Sequence, residues 1–159
     1  MKVRTDFVTN SSSSSFILGF KNKDTIKEEL LNDNTGDYFE QLFQDVEKAK
    51  SQTEEDVLEY YRKKLYYPLK WDVEDELEDN LYHSTDMSYT EIRDHIKGSH
   101  DEIEKITQER LGKEIQKLEE KLKDKEHIVI VKYSDHDNGE LEYYIAPKLK
   151  SCVATISHH

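Results

Sequence analysis

The sequence predicts an α+β fold: a small antiparallel β-sheet, made of an N-terminal strand and a C-terminal β-hairpin, packed against several α-helices. Three observations lead there. Apolar residues recur at three- and four-residue intervals through the middle of the chain, nearly continuous apolar runs stand towards its two ends, and turn-forming residues separate them. With 159 residues the chain can build one substantial core but not two, so a single domain over 1–159 is expected. It divides into a serine-rich segment and strand in 1–23, an acidic helical region in 24–125, and a hairpin with a C-terminal segment in 126–159. Charged residues make up 36% and apolar residues 35%, which implies a thin core and strongly two-faced helices. Ten tyrosines help, since each offers a large apolar body and a tip that can stay wet.

The elements follow in order. Phe16 to Phe20 is a short apolar run suited to a strand. Asp24 or Thr25 is the expected cap of a helix through Leu31, which Asn32 to Gly36 then breaks. Tyr38, Phe39, Leu42, Phe43 and Val46 repeat at helical spacing up to about Lys50. Thr53 opens another helix whose first turn holds Glu54, Glu55 and Asp56, well placed against the helix dipole. Its apolar face is Val57, Leu58, Tyr61 and Leu65, and Pro68 is expected to end it. Trp71, Val73, Leu77 and Leu81 mark a further short helix before a polar stretch from Ser84 to Ser88. Ser88 or Thr90 opens a helix that Gly98 interrupts, and Ser99 caps the longest one, to about Lys125.

That last helix carries the stripe Ile103, Ile106, Leu111, Ile115, Leu118 and Leu122, whose final members have heptad spacing. The regular part covers under two heptads, so packing within the chain is favoured over an intermolecular zipper. His127 to Tyr133 is a β-branched strand, and Asn138-Gly139 suits a hairpin turn with positive φ. Glu140 to Ala146 would be the return strand, ended by Pro147, with Val153 to Ile156 a last strand at an edge.

Charge is distributed unevenly. The net charge is −12, and residues 24–98, with nine basic and 21 acidic side chains, account for all of it. Such a field repels nucleic acid and speeds encounter with basic proteins. The densest part, Asp72 to Asp79, has six carboxylates in eight residues: Asp72, Glu74, Asp75, Glu76, Glu78 and Asp79. Val73, Leu77 and Leu81 point one way, so the acids occupy the rest of the helical circumference. Glu54, Glu55, Asp56 and Glu59 would extend this surface if two neighbouring helices carried the two clusters.

Catalytic and metal signatures are weak. With only five glycines, none spaced for a phosphate loop, a nucleotide-binding fingerprint is missing. Asp135-His136-Asp137 reads as turn chemistry, and His95 and His100 around Gly98 as a solvated helix junction. Ser11 to Ser15 lack the elbow of a serine hydrolase and are assigned a turn or capping role. Cys152, alone in the sequence, cannot form an internal disulfide and suits a reducing cytoplasm. No secretory apolar stretch or bilayer-length run is present. The expectation is a non-enzymatic, cytoplasmic, monomeric protein with no cofactor and no metal.

Residues 2 to 17 include Phe7, Val8, Asn10, Ser11 to Ser15, Phe16 and Ile17, with Asp6 and Thr9 at two departures from the pattern. This segment resembles the "GFVSNSSSSSFI" opening of small proteins from phages and mobile genetic elements of Gram-positive bacteria. Several of these are anti-CRISPR proteins, inhibitors of type II-A Cas9. The resemblance implies a stoichiometric Cas9 inhibitor that blocks target DNA cleavage, with some preference for the HNH nuclease domain. Two alternatives stand beside it: an accessory phage protein that binds another basic host protein, and a self-assembling structural protein.

Overall fold

The computed structural model describes residues 13–157 and has the α+β architecture. Residues 2–12, most of the segment carrying the motif resemblance, lie outside the described residues. In chain order the elements are β1 (Ser13–Phe20), α1 (Ile26–Leu31), α2 (Phe39–Lys48), α3 (Glu54–Ser84), α4 (Tyr89–Gly98), α5 (His100–Leu122), β2 (His127–Ser134), α6 (Asp135–Glu140) and β3 (Cys152–Ser157). A π-helical turn, Leu141–Ile145, follows α6. The chain forms two compact units, residues 1–57 with 118–159, and residues 58–117.

The first unit holds the sheet. Its strand order is β2-β1-β3, antiparallel throughout, so the N-terminal strand is central. β1 is also buried on both faces, which is why its sequence is a run rather than an alternation. Every residue from Ser14 to Phe20 is buried. Phe16 pairs with Val131 on one side and Thr155 on the other. Phe16, Leu18 and Phe20 join Val129, Val131 and Tyr133 on one face of the sheet, where Ile26 and Leu30 of α1 and Leu42 and Val46 of α2 complete the cluster. The Tyr133 hydroxyl donates to Asp45 at 2.8 Å, and burial together with that carboxylate pushes its pKa up.

Ser13 to Ser15 are strand, not turn or cap. The Ser14 hydroxyl donates to a Glu142 carboxylate oxygen at 3.0 Å, and both residues are buried. A small polar side chain lets the strand enter the core while giving a buried carboxylate a hydrogen-bond donor. Ser11 and Ser12 lie outside the described residues. The start of α1 also differs from expectation. Asn22, rather than Asp24 or Thr25, caps the preceding 3-10 turn, accepting from the Asp24 and Thr25 amides at 2.8 and 3.1 Å.

The predicted C-terminal hairpin is not formed. Asp135 to Ile145 is helical, interrupted at Asn138 (φ −150°, ψ 65°), and neither Asn138 nor Gly139 has positive φ. Leu141, Ala146 and Leu149 are buried and Ile145 half-buried, a spacing of four or five that belongs to a helix. Tyr143 and Tyr144, adjacent in sequence, are both exposed, whereas strand alternation would have buried one of them. The partner that β1 finds on its second side is β3, the expected edge strand.

The second unit is helical, and its long helix departs from the prediction. Pro68 does not end the helix, so the two expected short helices are one, α3, of 31 residues. Val57, Tyr61, Leu65, Leu69, Val73, Leu77 and Leu81 recur every four residues across the proline, and all are buried or half-buried. An uninterrupted apolar register outweighs the local cost of Pro68, which deprives the Lys64 carbonyl of its helical donor and crowds it with the ring. Pro68 is exposed and in the helix interior, where proline is about 3 kcal/mol worse than alanine. Pro68→Ala should therefore raise the melting temperature by several degrees, at roughly 2–4 °C per kcal/mol. Thermal melting followed by circular dichroism tests this, and an unchanged midpoint would mean that α3 accommodates the ring without strain.

Ser88 caps α4 in a reciprocal box with Glu91. Ser99 breaks the chain between α4 and α5, but its hydroxyl donates back to the His95 carbonyl at 2.9 Å instead of capping α5. Ile103, Leu111, Ile115, Leu118 and Leu122 are buried and Ile106 half-buried, so the heptad-like stripe is used within the chain.

Candidate partner-binding face

The second half of α3 concentrates what the sequence singled out. Val73 is buried and Leu77 and Leu81 are half-buried on the inner side, which turns the acids outward. Asp72, Asp75, Glu76 and Asp79 are exposed; Glu74 and Glu78 are half-exposed. Asp72, Asp75, Glu76, Glu78 and Asp79 together line a shallow hollow of 440 Å³. Glu54 and Glu55 are exposed in the first turn of the same helix. The neighbouring helix that was to carry them alongside the run does not exist as a separate element. Asp72 follows Glu55 by seventeen residues along α3, so the two clusters are distinct.

Two side-chain ties hold this stretch of α3 to α5. Arg110 donates to both carboxylate oxygens of Glu76, at 2.9 and 2.6 Å. The shared hydrogen bonds hold the Glu76 carboxyl below and the Arg110 guanidinium above its ordinary value. Ten residues earlier in α3, the Tyr66 hydroxyl donates to Glu104, which also accepts from Gln108; the phenol is pushed up to about 12 and Glu104 is lowered. Among the described residues, Glu76 is the only member of the acidic run held in an ion pair. The remaining five carboxylates repel one another at three- and four-residue separations and face water.

A second hollow of 340 Å³ lies beside the run, lined by Glu74, Asp75, Glu78 and, from α4, Tyr89, Arg93 and Lys97. Arg93 sits 5.8 Å from the centre of the Tyr89 ring. The placement of Trp71 corrects the sequence reading, which grouped it with Val73, Leu77 and Leu81: it is 58% exposed. At 100° per residue Trp71 is 200° out of phase with Val73, and that phase is the signal that would have placed it outside.

A hollow of 500 Å³ belongs to the other unit, between α2 and β2, with Gln41, Asp45, Lys48, Lys132 and Tyr133 among its lining. Asp45 is engaged there by the Tyr133 hydroxyl. Cys152 is half-buried and burial raises its pKa, which disfavours the reactive thiolate. Among the described residues, no three His, Cys, Asp or Glu side chains are grouped to hold a metal ion. No helix among them is long and apolar enough to cross a membrane.

What these features define is an α+β protein with a helical unit that presents a carboxylate-rich, aromatic-flanked face. Comparison with protein-family models, curated proteins and solved structures finds no match to the chain.

Proposed function

We propose that this protein is a non-enzymatic inhibitor that binds type II-A Cas9 stoichiometrically and blocks target DNA cleavage, with the acidic face of α3 as its contact surface. The observation that carries the proposal is the outward run from Asp72 to Asp79, in which five of six carboxylates have no ion-pair partner among the described residues. A rigid helix with unneutralised carboxylates suits a basic protein surface and steers encounter with it. The resemblance of residues 2–17 to anti-CRISPR openings supports Cas9 as that partner. Cas9 holds its guide–target heteroduplex in a positively charged channel and reads a short DNA motif through arginines. An acidic protein can occupy such a surface in place of DNA, or clamp the HNH nuclease domain so that it never docks on its cut site. The resemblance favours the second mode.

Titration of the protein into small and large type II-A Cas9 ribonucleoproteins, with cleavage and DNA binding followed in parallel, tests the proposal. Loss of cleavage that saturates near one inhibitor per Cas9, with DNA binding retained, is the expected result. Complete inhibition at substoichiometric amounts would overturn the binding mechanism. No effect on any Cas9 would overturn the partner, and recovery of another basic protein from host lysate would replace it.

A further inference from the structure

Tyr67, Trp71 and Tyr82 are 57%, 58% and 69% exposed, and so leave in water the large apolar area that aromatic side chains carry. All three lie on α3, and with Asp75 and Glu78 they recur at spacings of four, four, three and four. Those intervals place the five side chains on one face, as a stripe about 22 Å long at 1.5 Å per residue. The Tyr67 and Trp71 rings are 6.2 Å apart, so one end of the stripe is an aromatic platform. Two carboxylates follow it, and Tyr82 closes the other end.

We infer that this stripe is the docking surface for an arginine- and lysine-rich segment of a protein partner. The rings would take guanidinium planes and aliphatic stems, while Asp75 and Glu78 would pair with the charges. The inference rests on the reading of α3 as the partner-binding face and names the side chains that give that face its affinity. Charge complementarity selects the occupant. Carboxylates between the rings repel the phosphates of nucleic acid and of an anionic lipid surface, whereas tryptophan and tyrosine attract cations at their faces. The chain itself shows the chemistry next door, where Arg93 lies over Tyr89 beside Glu74, Asp75 and Glu78. Exposed tryptophan and tyrosine are also the residues that carry most binding energy in protein interfaces.

Trp71 is the sole tryptophan of the chain, so its emission reports directly on the stripe. Titration with a nona-arginine peptide should change that emission saturably, and nona-glutamate should not. Tyr67→Ala/Tyr82→Ala should weaken nona-arginine binding about five- to tenfold with unchanged far-UV circular dichroism. Tyr144→Ala, which removes a tyrosine of similar exposure (61%) from the other unit, should leave binding intact. A silent Trp71, or equal affinity for the double variant and the parent, would overturn the inference. Cas9 separates this from the functional proposal. If Tyr67→Ala/Trp71→Ala/Tyr82→Ala inhibits Cas9 as well as the parent, the stripe is not the contact while the inhibitor stands. If nona-arginine docks through the rings but no Cas9 is inhibited, the stripe stands and Cas9 is not its partner.

Discussion

Replacement of Phe16 by alanine should lower the free energy of unfolding by about 3–5 kcal/mol, the range for removing a fully buried phenylalanine. Phe16 has no exposed surface, and its ring centre lies 6.0 Å from that of Tyr133. The cost should fall at the upper end because the site cannot collapse. Phe16 is on the central strand, fixed in register by Val131 and Thr155, while α1 and α2 close the face it fills. A domain of this size has about 5–15 kcal/mol in total, so the loss is a large fraction of the whole. At roughly 2–4 °C per kcal/mol, the melting temperature should drop by about 6–20 °C. Amide exchange in β1 and β2 should accelerate with it. A drop of under about 2 °C would mean that the core re-forms without the ring and that β1 does not organise the unit.

Reversal of Glu74, Asp75, Glu78 and Asp79 to lysine should abolish most partner binding while preserving the fold. Each reversal changes the charge by two units, so the four take the net charge from −12 to −4 and invert the sign of the face. The affinity for a basic partner should fall by at least about tenfold, mostly through slower association, and the loss should shrink as salt is raised. Folding should be little affected. None of the four is buried, Asp75 and Asp79 are fully outside, and Glu76, the member tied to Arg110, is left in place. Binding measured at two ionic strengths, with far-UV circular dichroism as the fold control, decides the matter. Unchanged affinity would place the interface on another surface.

The course of α3 shows how the sequence can be read correctly in its parts and wrongly in its joins. The apolar positions Val57, Tyr61, Leu65, Val73, Leu77 and Leu81 are legible in the sequence, whereas Leu69, which carries their four-residue register across Pro68, is missed and Trp71 is wrongly included. Pro68 does not end the helix, since its local cost of about 3 kcal/mol is small beside a row of packed side chains on both sides of it. The C-terminal hairpin failed for a related reason. Asn138-Gly139 is a strong local turn signal, but the fate of Leu141, Ile145 and Leu149 depends on which surface needs covering. That surface is the face of the sheet already lined by Phe16, Leu18 and Phe20, and a helical turn covers it with one side of the chain while leaving Tyr143 and Tyr144 in water.

The candidate face divides in the same way. The acidic run and its outward direction follow from composition and helical phase alone, because carboxylates that outnumber their partners stay in solvent. The pairing of Glu76 with Arg110, thirty-four residues away, needed the packing of two helices, and no periodicity announces it. The α+β class, the strands β1, β2 and β3, and the solvent-facing acids are legible in the chain alone, since each depends on local pattern and on the cost of burying charge. That β1 is central, that Ser14 serves the buried Glu142, and that Glu76 is the acid tied to α5 came from the packing alone. These depend on which surfaces meet, and a residue's neighbours in space are not fixed by its neighbours in sequence.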